Sequence, residues 1–155
     1  ASQEEKNEWL LQKNTEYLAY VEEMDESEIL PGVMQVLDYL KHHKQNIVLG
    51  SASKNAKPIL EKAKIIHYFD AIVDGNDVSN AKPDPEVFLQ GANDSAKNCI
   101  VFEDSVAGIQ AANLANMISI GIGETEILHE ADYIFNDFTF IDLSFIENLI
   151  NEKCV

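Results

Sequence analysis

The sequence predicts an α/β fold: a doubly wound parallel sheet with helices on both faces. Three observations carry this. Short apolar runs alternate with longer segments of helical period along the chain. Turn-forming residues such as Asp74-Gly75 and Lys82-Pro83-Asp84-Pro85 separate them. Two of the apolar runs end in polar residues, Ser51 and Glu103-Asp104, and open α/β sheets bind ligands at the carboxyl ends of their strands.

Residues 2–24 have the pattern of a helix, with Trp9, Leu10, Tyr17, Val21 and Met24 at helical spacing among polar residues. Met24-Asp25-Glu26-Ser27 predicts a stop or hinge. Pro31 suits the first turn of a second helix over 31–43, with Val33, Val36, Leu37 and Leu40 on one face. Ile47-Val48-Leu49 predicts a buried strand ending at Gly50-Ser51. A helix over 54–64 follows, then a strand over 69–73 and a helix over 85–91. A strand over 99–102 leads to a helix over 105–115. Runs at 117–120 and 133–135 predict two more strands, and 143–152 a closing helix. There is no internal repeat or low-complexity segment.

The 155 residues carry 27 acids against 11 lysines and no arginine, a net charge of −16. That charge argues against nucleic acid or an anionic membrane as partner. An anionic substrate would need a divalent cation or local lysines to offset the field. Six of the lysines lie between Lys41 and Lys64. Cys99 and Cys154 are far apart and lack metal-ligand spacing, which predicts reduced thiols in a cytoplasmic protein. No apolar stretch is long enough to span a bilayer, and no basic-then-apolar leader is present. A start at Ala1 without Met predicts a processed, tagged or truncated terminus.

Three stations carry candidate chemistry. In Gly50-Ser51-Ala52-Ser53-Lys54-Asn55, a hydroxyl and the following amides at a strand end can donate to phosphoryl oxygens. The competing reading is a helix start with Ser53 as N-cap. Lys82, stiffened by Pro83 and Pro85, can neutralise a transferring phosphoryl group; the competing reading is an exposed loop lysine. Adjacent Glu103 and Asp104 repel each other unless a cation shares them, and their hard oxygens suit Mg²⁺. The competing reading is acids at a helix start, with Asp104 as its cap. Gly108 is expected to let that helix approach the sheet.

These stations resemble the second, third and fourth signatures of the haloacid dehalogenase superfamily of phosphotransferases. The resemblance narrows to the β-phosphoglucomutase family through Leu30-Pro31-Gly32, Ser51-Ala52-Ser53-Lys54-Asn55, Tyr68-Phe69-Asp70-Ala71-Ile72 and Phe102-Glu103-Asp104-Ser105 with Ala107-Gly108-Ile109-Gln110-Ala111. It implies a Rossmann-type core over 29–155 that lacks its first strand, and a remnant of a helical cap domain over 1–28. It implies Mg²⁺-dependent transfer on sugar phosphates, β-glucose 1-phosphate to glucose 6-phosphate. Ser51 and Lys82 would then hold the transferring phosphate beside the Ala52 amide. Ser53, Lys54 and Asn55 would grip the sugar's other phosphate. Glu103 and Asp104 would serve the metal. Lys13 would face the sugar, against the simpler reading of a solvated helix lysine. The family's first signature, an Asp-x-Asp nucleophile and acid/base pair, does not occur in these residues. A missing N-terminal segment of the same protein is therefore an expected partner. A sugar-phosphate phosphatase and a non-catalytic fragment are the alternatives.

Overall fold

The computed structural model describes residues 2–93 and 95–153; Cys154 lies outside them. Helix α1 (Gln3–Glu23) opens with a capping box. The Ser2 hydroxyl accepts from Glu5 N, and the Glu5 carboxylate accepts from Ser2 N. Most of α1 is solvent-exposed, and Val21 is its one buried residue. Its C-terminal end meets the rest of the molecule through a Glu22–Lys62 ion pair of 3.3 Å. Just beyond it, Glu26 pairs with Lys64 at 2.7 Å.

Helix α2 (Val33–His42) begins two residues later than its sequence pattern predicts. Its cap is Gly32, at φ 86, and Pro31 sits in the preceding turn. A Cβ at Gly32 would lie 2.7 Å from the Phe138 carbonyl carbon. Only glycine meets both conditions. The remaining elements are β1 (Val48–Gly50), α3 (Ala56–Lys62), β2 (Ala71–Val73), α4 (Glu86–Ala92), β3 (Ile100–Glu103), α5 (Val106–Leu114), β4 (Ile118–Ile122), β5 (Tyr133–Phe135) and α6 (Leu143–Lys153). Each coincides with a predicted segment, with no end displaced by more than two residues. Single 3₁₀ turns at 26–28, 66–68, 96–98 and 138–140 lie outside the predicted elements. One turn is too short to leave a period in the sequence.

All strand pairs are parallel. Among the described residues they form two half-sheets, β1-β2 and β3-β4-β5. This is the expected doubly wound parallel sheet, divided between β1 and β3. The division corrects one expectation. Val48, predicted to be buried, is 39% exposed, because β1 has β2 as its single strand partner.

The two faces of β3 define two cores. Val101 packs with Ala112, Ala115 and Met117, joined by Phe88 of α4. Its neighbour Phe102 points the other way, toward Val36 of α2, Ile146 of α6 and Ile141 just before α6. Burying a side chain of this size stabilises by about 2 kcal/mol. Two aspartates tie strands together at their amino ends. Asp70 accepts from Ile47 N at 2.8 Å just before β2. Asp132 accepts from Ser119 N at 2.8 Å just before β5. Ser119 is fully buried, and its hydroxyl donates to Asn113 of α5 at 2.7 Å.

Candidate active site

The carboxyl ends of β1 and β3 meet at Lys82. Its ammonium donates to the Gly50 carbonyl at 3.3 Å, at the end of β1. It also forms an ion pair with the Glu103 carboxylate, at the end of β3. The Lys82 and Glu103 side chains are 14% and 10% exposed, so the pair is largely withdrawn from water. Lys82 is thus no loose surface lysine. It spans the division between the half-sheets, and its ammonium lies 4.9 Å from the Phe88 ring centre.

The loop carrying Lys82 is fastened from α4. Glu86 accepts from Ser79 N at 2.8 Å and from Asn80 N at 2.7 Å. Those two N–H groups hold its carboxyl below the usual carboxylate range. Asp84 accepts from Glu86 N at 2.9 Å and starts the helix. The prolines alone do not set this loop. Glu86 and Asp84 do much of it, and the sequence pattern gave no sign that Glu86 reaches back seven residues.

Ser51 follows β1 and extends its ladder, Ser51 N donating to the Val73 carbonyl at 2.9 Å. Its hydroxyl accepts from Ser53 N at 3.1 Å, and the Ser53 hydroxyl accepts from Asn55 N at 3.1 Å. The loop is therefore two successive hydroxyl-closed turns before α3. The N-cap position of α3 belongs to Asn55, not Ser53. The Ser51 hydroxyl keeps its own hydrogen for donation while accepting this bond. Ala52 and Lys54 are exposed.

Glu103 is more constrained than its sequence context indicates. Beside Lys82, it accepts from Asp104 N, Ser105 N and the Ser105 hydroxyl at 3.1, 3.1 and 2.9 Å. The Ser105 hydroxyl in turn accepts from Gly108 N at 3.0 Å, making Ser105 the cap of α5 in place of Asp104. A Cβ at Gly108 would lie 2.0 Å from the Glu103 carboxyl carbon. The glycine makes room for a carboxylate as much as for the sheet. Asp104 is exposed.

Carboxylate oxygens are the donors that Mg²⁺ prefers, and the ion keeps waters and phosphate in its remaining positions. Among the described residues no group of three or more acidic, histidine or cysteine side chains is placed to hold a metal ion. Asp104 offers an exposed carboxylate of the kind a divalent ion takes, whereas both Glu103 oxygens already accept from Lys82, Asp104 N and Ser105. Lys13 lies on exposed α1, its ammonium 5.0 Å from the Trp9 ring centre on the same helix. No helix is long and apolar enough to cross a membrane among the described residues.

A model of the haloacid dehalogenase-like hydrolases matches residues 1–116. The chain belongs to that family. This haloacid dehalogenase-like chain is 34% identical over 145 residues to the β-phosphoglucomutase of Bacillus subtilis, covering 92% of its own length and 64% of the relative. It is 35% identical over 102 residues to the fructose-1-phosphate phosphatase YqaB of Escherichia coli, covering 64% of this chain and 54% of that one. Among solved structures, the β-phosphoglucomutase of Clostridium difficile superposes with a TM-score of 0.89 at 38% identity. That match covers 97% of this chain and 69% of the other. The haloacid dehalogenase-like chain is thus β-phosphoglucomutase-like, and it spans just under two thirds of the Bacillus relative.

Proposed function

We propose that these residues serve Mg²⁺-dependent phosphoryl transfer on sugar phosphates, of the β-phosphoglucomutase type. The observation that carries the reading is Lys82 between the Gly50 carbonyl and Glu103. It brings a cation, a hydroxyl-bearing loop and a carboxylate pair to one edge of the sheet, the set that phosphoryl transfer needs for positioning and charge neutralisation. In this reading Ser51, the Ala52 amide and Lys82 hold the transferring phosphate. Ser53, Lys54 and Asn55 take the sugar's second phosphate, and Lys13 faces the sugar. Glu103 and Asp104 contribute to the Mg²⁺ site, and the ion, when bound, screens the charge on the phosphoryl oxygens. The nucleophilic aspartate would come from outside these residues, since no Asp-x-Asp occurs among them. Residues 1–28 belong to a cap and residues 29–155 to the core in the same reading.

The sequence similarity to the Escherichia coli fructose-1-phosphate phosphatase supports a second reading, hydrolysis of a small sugar phosphate. One assay separates the two. The protein encoded by the complete reading frame is given β-glucose 1-phosphate, Mg²⁺ and a trace of glucose bisphosphate. A mutase forms glucose 6-phosphate without releasing phosphate, and a phosphatase releases it stoichiometrically. Either activity should fall by at least tenfold in Lys82→Ala. Neither activity, at any Mg²⁺ concentration, leaves a non-catalytic protein.

A further inference from the structure

The turn after β2 has no part in the chemistry above, yet it is built against the Ser51–Asn55 loop. Gly75 N donates to the Ser53 carbonyl at 3.2 Å. The Asn76 side-chain amide donates to the Lys54 carbonyl at 3.3 Å. The Ala52 carbonyl fills the space beside Gly75, where a Cβ would lie 2.3 Å from its oxygen. Three consecutive loop carbonyls, those of Ala52, Ser53 and Lys54, therefore meet the turn. In a trans peptide the N–H points opposite to the C=O. Seating these carbonyls on the turn aims the N–H groups of Ser53, Lys54 and Asn55 away from it. Two of these N–H groups are accepted by the Ser51 and Ser53 hydroxyls, which fixes the hydroxyls as well.

We infer that the Asp74–Asp77 turn is a positioning element, with Gly75 and Asn76 setting the path of the Ser51–Asn55 loop and so its grip on phosphate. The inference rests on the phosphate-binding reading of that loop.

The turn is braced by its own hydrogen bonds. Asp74 is 4% exposed, and its carboxylate accepts from Asn76 N at 2.8 Å. Asp74 N donates to the Asp77 carboxylate at 2.9 Å, and Asp77 N donates to the Asp74 carbonyl at 3.1 Å. A wall held this way cannot retreat when Gly75 gains a side chain. The loop must move instead.

The test uses the whole chain at low micromolar concentration. Hydrogen exchange of the peptide covering Ser51–Asn55 is followed by mass spectrometry across a series of inorganic phosphate concentrations. In the wild-type chain, phosphate protects this peptide, and Ser51→Ala loses the protection. In Gly75→Ala the phosphate midpoint is expected to rise about tenfold or more, since a displacement near 1 Å is enough for that. In Asn76→Leu, which keeps the size, adds no charge and removes the N–H donor to Lys54, it rises about fivefold. In both variants the same peptide exchanges faster without phosphate, while β3-β4-β5 peptides exchange as in the wild type. Asn76→Gln, which keeps a donor, recovers part of the loss. The inference is overturned if Gly75→Ala and Asn76→Leu keep the wild-type midpoint while Ser51→Ala loses it; the phosphate reading then stands. If phosphate never protects the wild-type peptide, that reading falls and the inference with it.

Discussion

Lys82 is where most of the charge in this site meets, and its environment makes it costly to change. Replacing it with Ala leaves the Glu103 carboxylate withdrawn from water with no cation. Loss of one partner of such a pair costs about 3 kcal/mol. Urea unfolding followed by circular dichroism should show that loss in Lys82→Ala. Most of it should return in the double variant Lys82→Met/Glu103→Gln, which removes both charges. An unchanged midpoint in the single variant would mean the pair is solvent-screened. Glu86 makes a second residue-level prediction. Its folded-state pKa is lowered by the Ser79 and Asn80 N–H groups, and that of Asp74 chiefly by Asn76 N. A carboxyl with a lowered folded-state pKa stabilises above its unfolded value, about 4. The contribution fades as pH falls below that through the lower folded value. The stability gap between wild type and Glu86→Gln should therefore be constant from pH 7 to about 5 and shrink below about 4. A gap that widens in acid contradicts the assignment.

At the scale of elements, α5 shows how a cap and a site share atoms. The Ser105 hydroxyl accepts from Gly108 N and donates to Glu103. Ser105→Ala should cost about 1–2 kcal/mol. Asp104→Ala should cost no more than about 0.5 kcal/mol, because its side chain is exposed. A larger loss in Asp104→Ala than in Ser105→Ala would return the cap to Asp104. This pair also marks where the sequence was legible. The strand ending at Glu103 and the helix after Ser105 follow from a short apolar run and the residues behind it. Which of three neighbouring polar residues caps the helix does not, since Asp and Ser are nearly equal caps. Similarly, Ser51 and Lys82 stood out by their neighbours. Glu86 and Asn76 did not, because they act on backbone seven and twenty-two residues away, and no local pattern records a long-range bond. Pro31 misled for a related reason. Proline suits a first turn, but the close approach of Phe138 at Gly32 decided where α2 begins.

At the scale of the molecule, the division between β1 and β3 leaves strand edges that can pair with another chain. Trp9, Leu10 and Leu11 add exposed apolar surface on α1, at 59%, 56% and 67%. Sedimentation velocity should show weight-average mass rising with concentration. A single monomeric species across the range would show the edges are protected. The net charge of −16 opposes association, so added salt should promote it.

The bridge at Lys82 also bears on how the molecule melts. A domain of this length ordinarily unfolds in one step, with calorimetric and van't Hoff enthalpies equal. Here β1-β2 and β3-β4-β5 share no backbone ladder. Among the described residues they are joined by α4, which touches β1, β2 and α5, by Lys82, and by α2, whose Asp38 and Lys41 meet Tyr68 and Asp70 just before β2. The three-stranded part holds both apolar cores and the buried Ser119 node. Scanning calorimetry should therefore record a calorimetric enthalpy larger than the van't Hoff value, with the β1-β2 part melting first. A ligand that grips Ser51, Lys82 and Asp104 together would merge the two transitions into one, making heat-capacity shape a binding signal that needs no turnover.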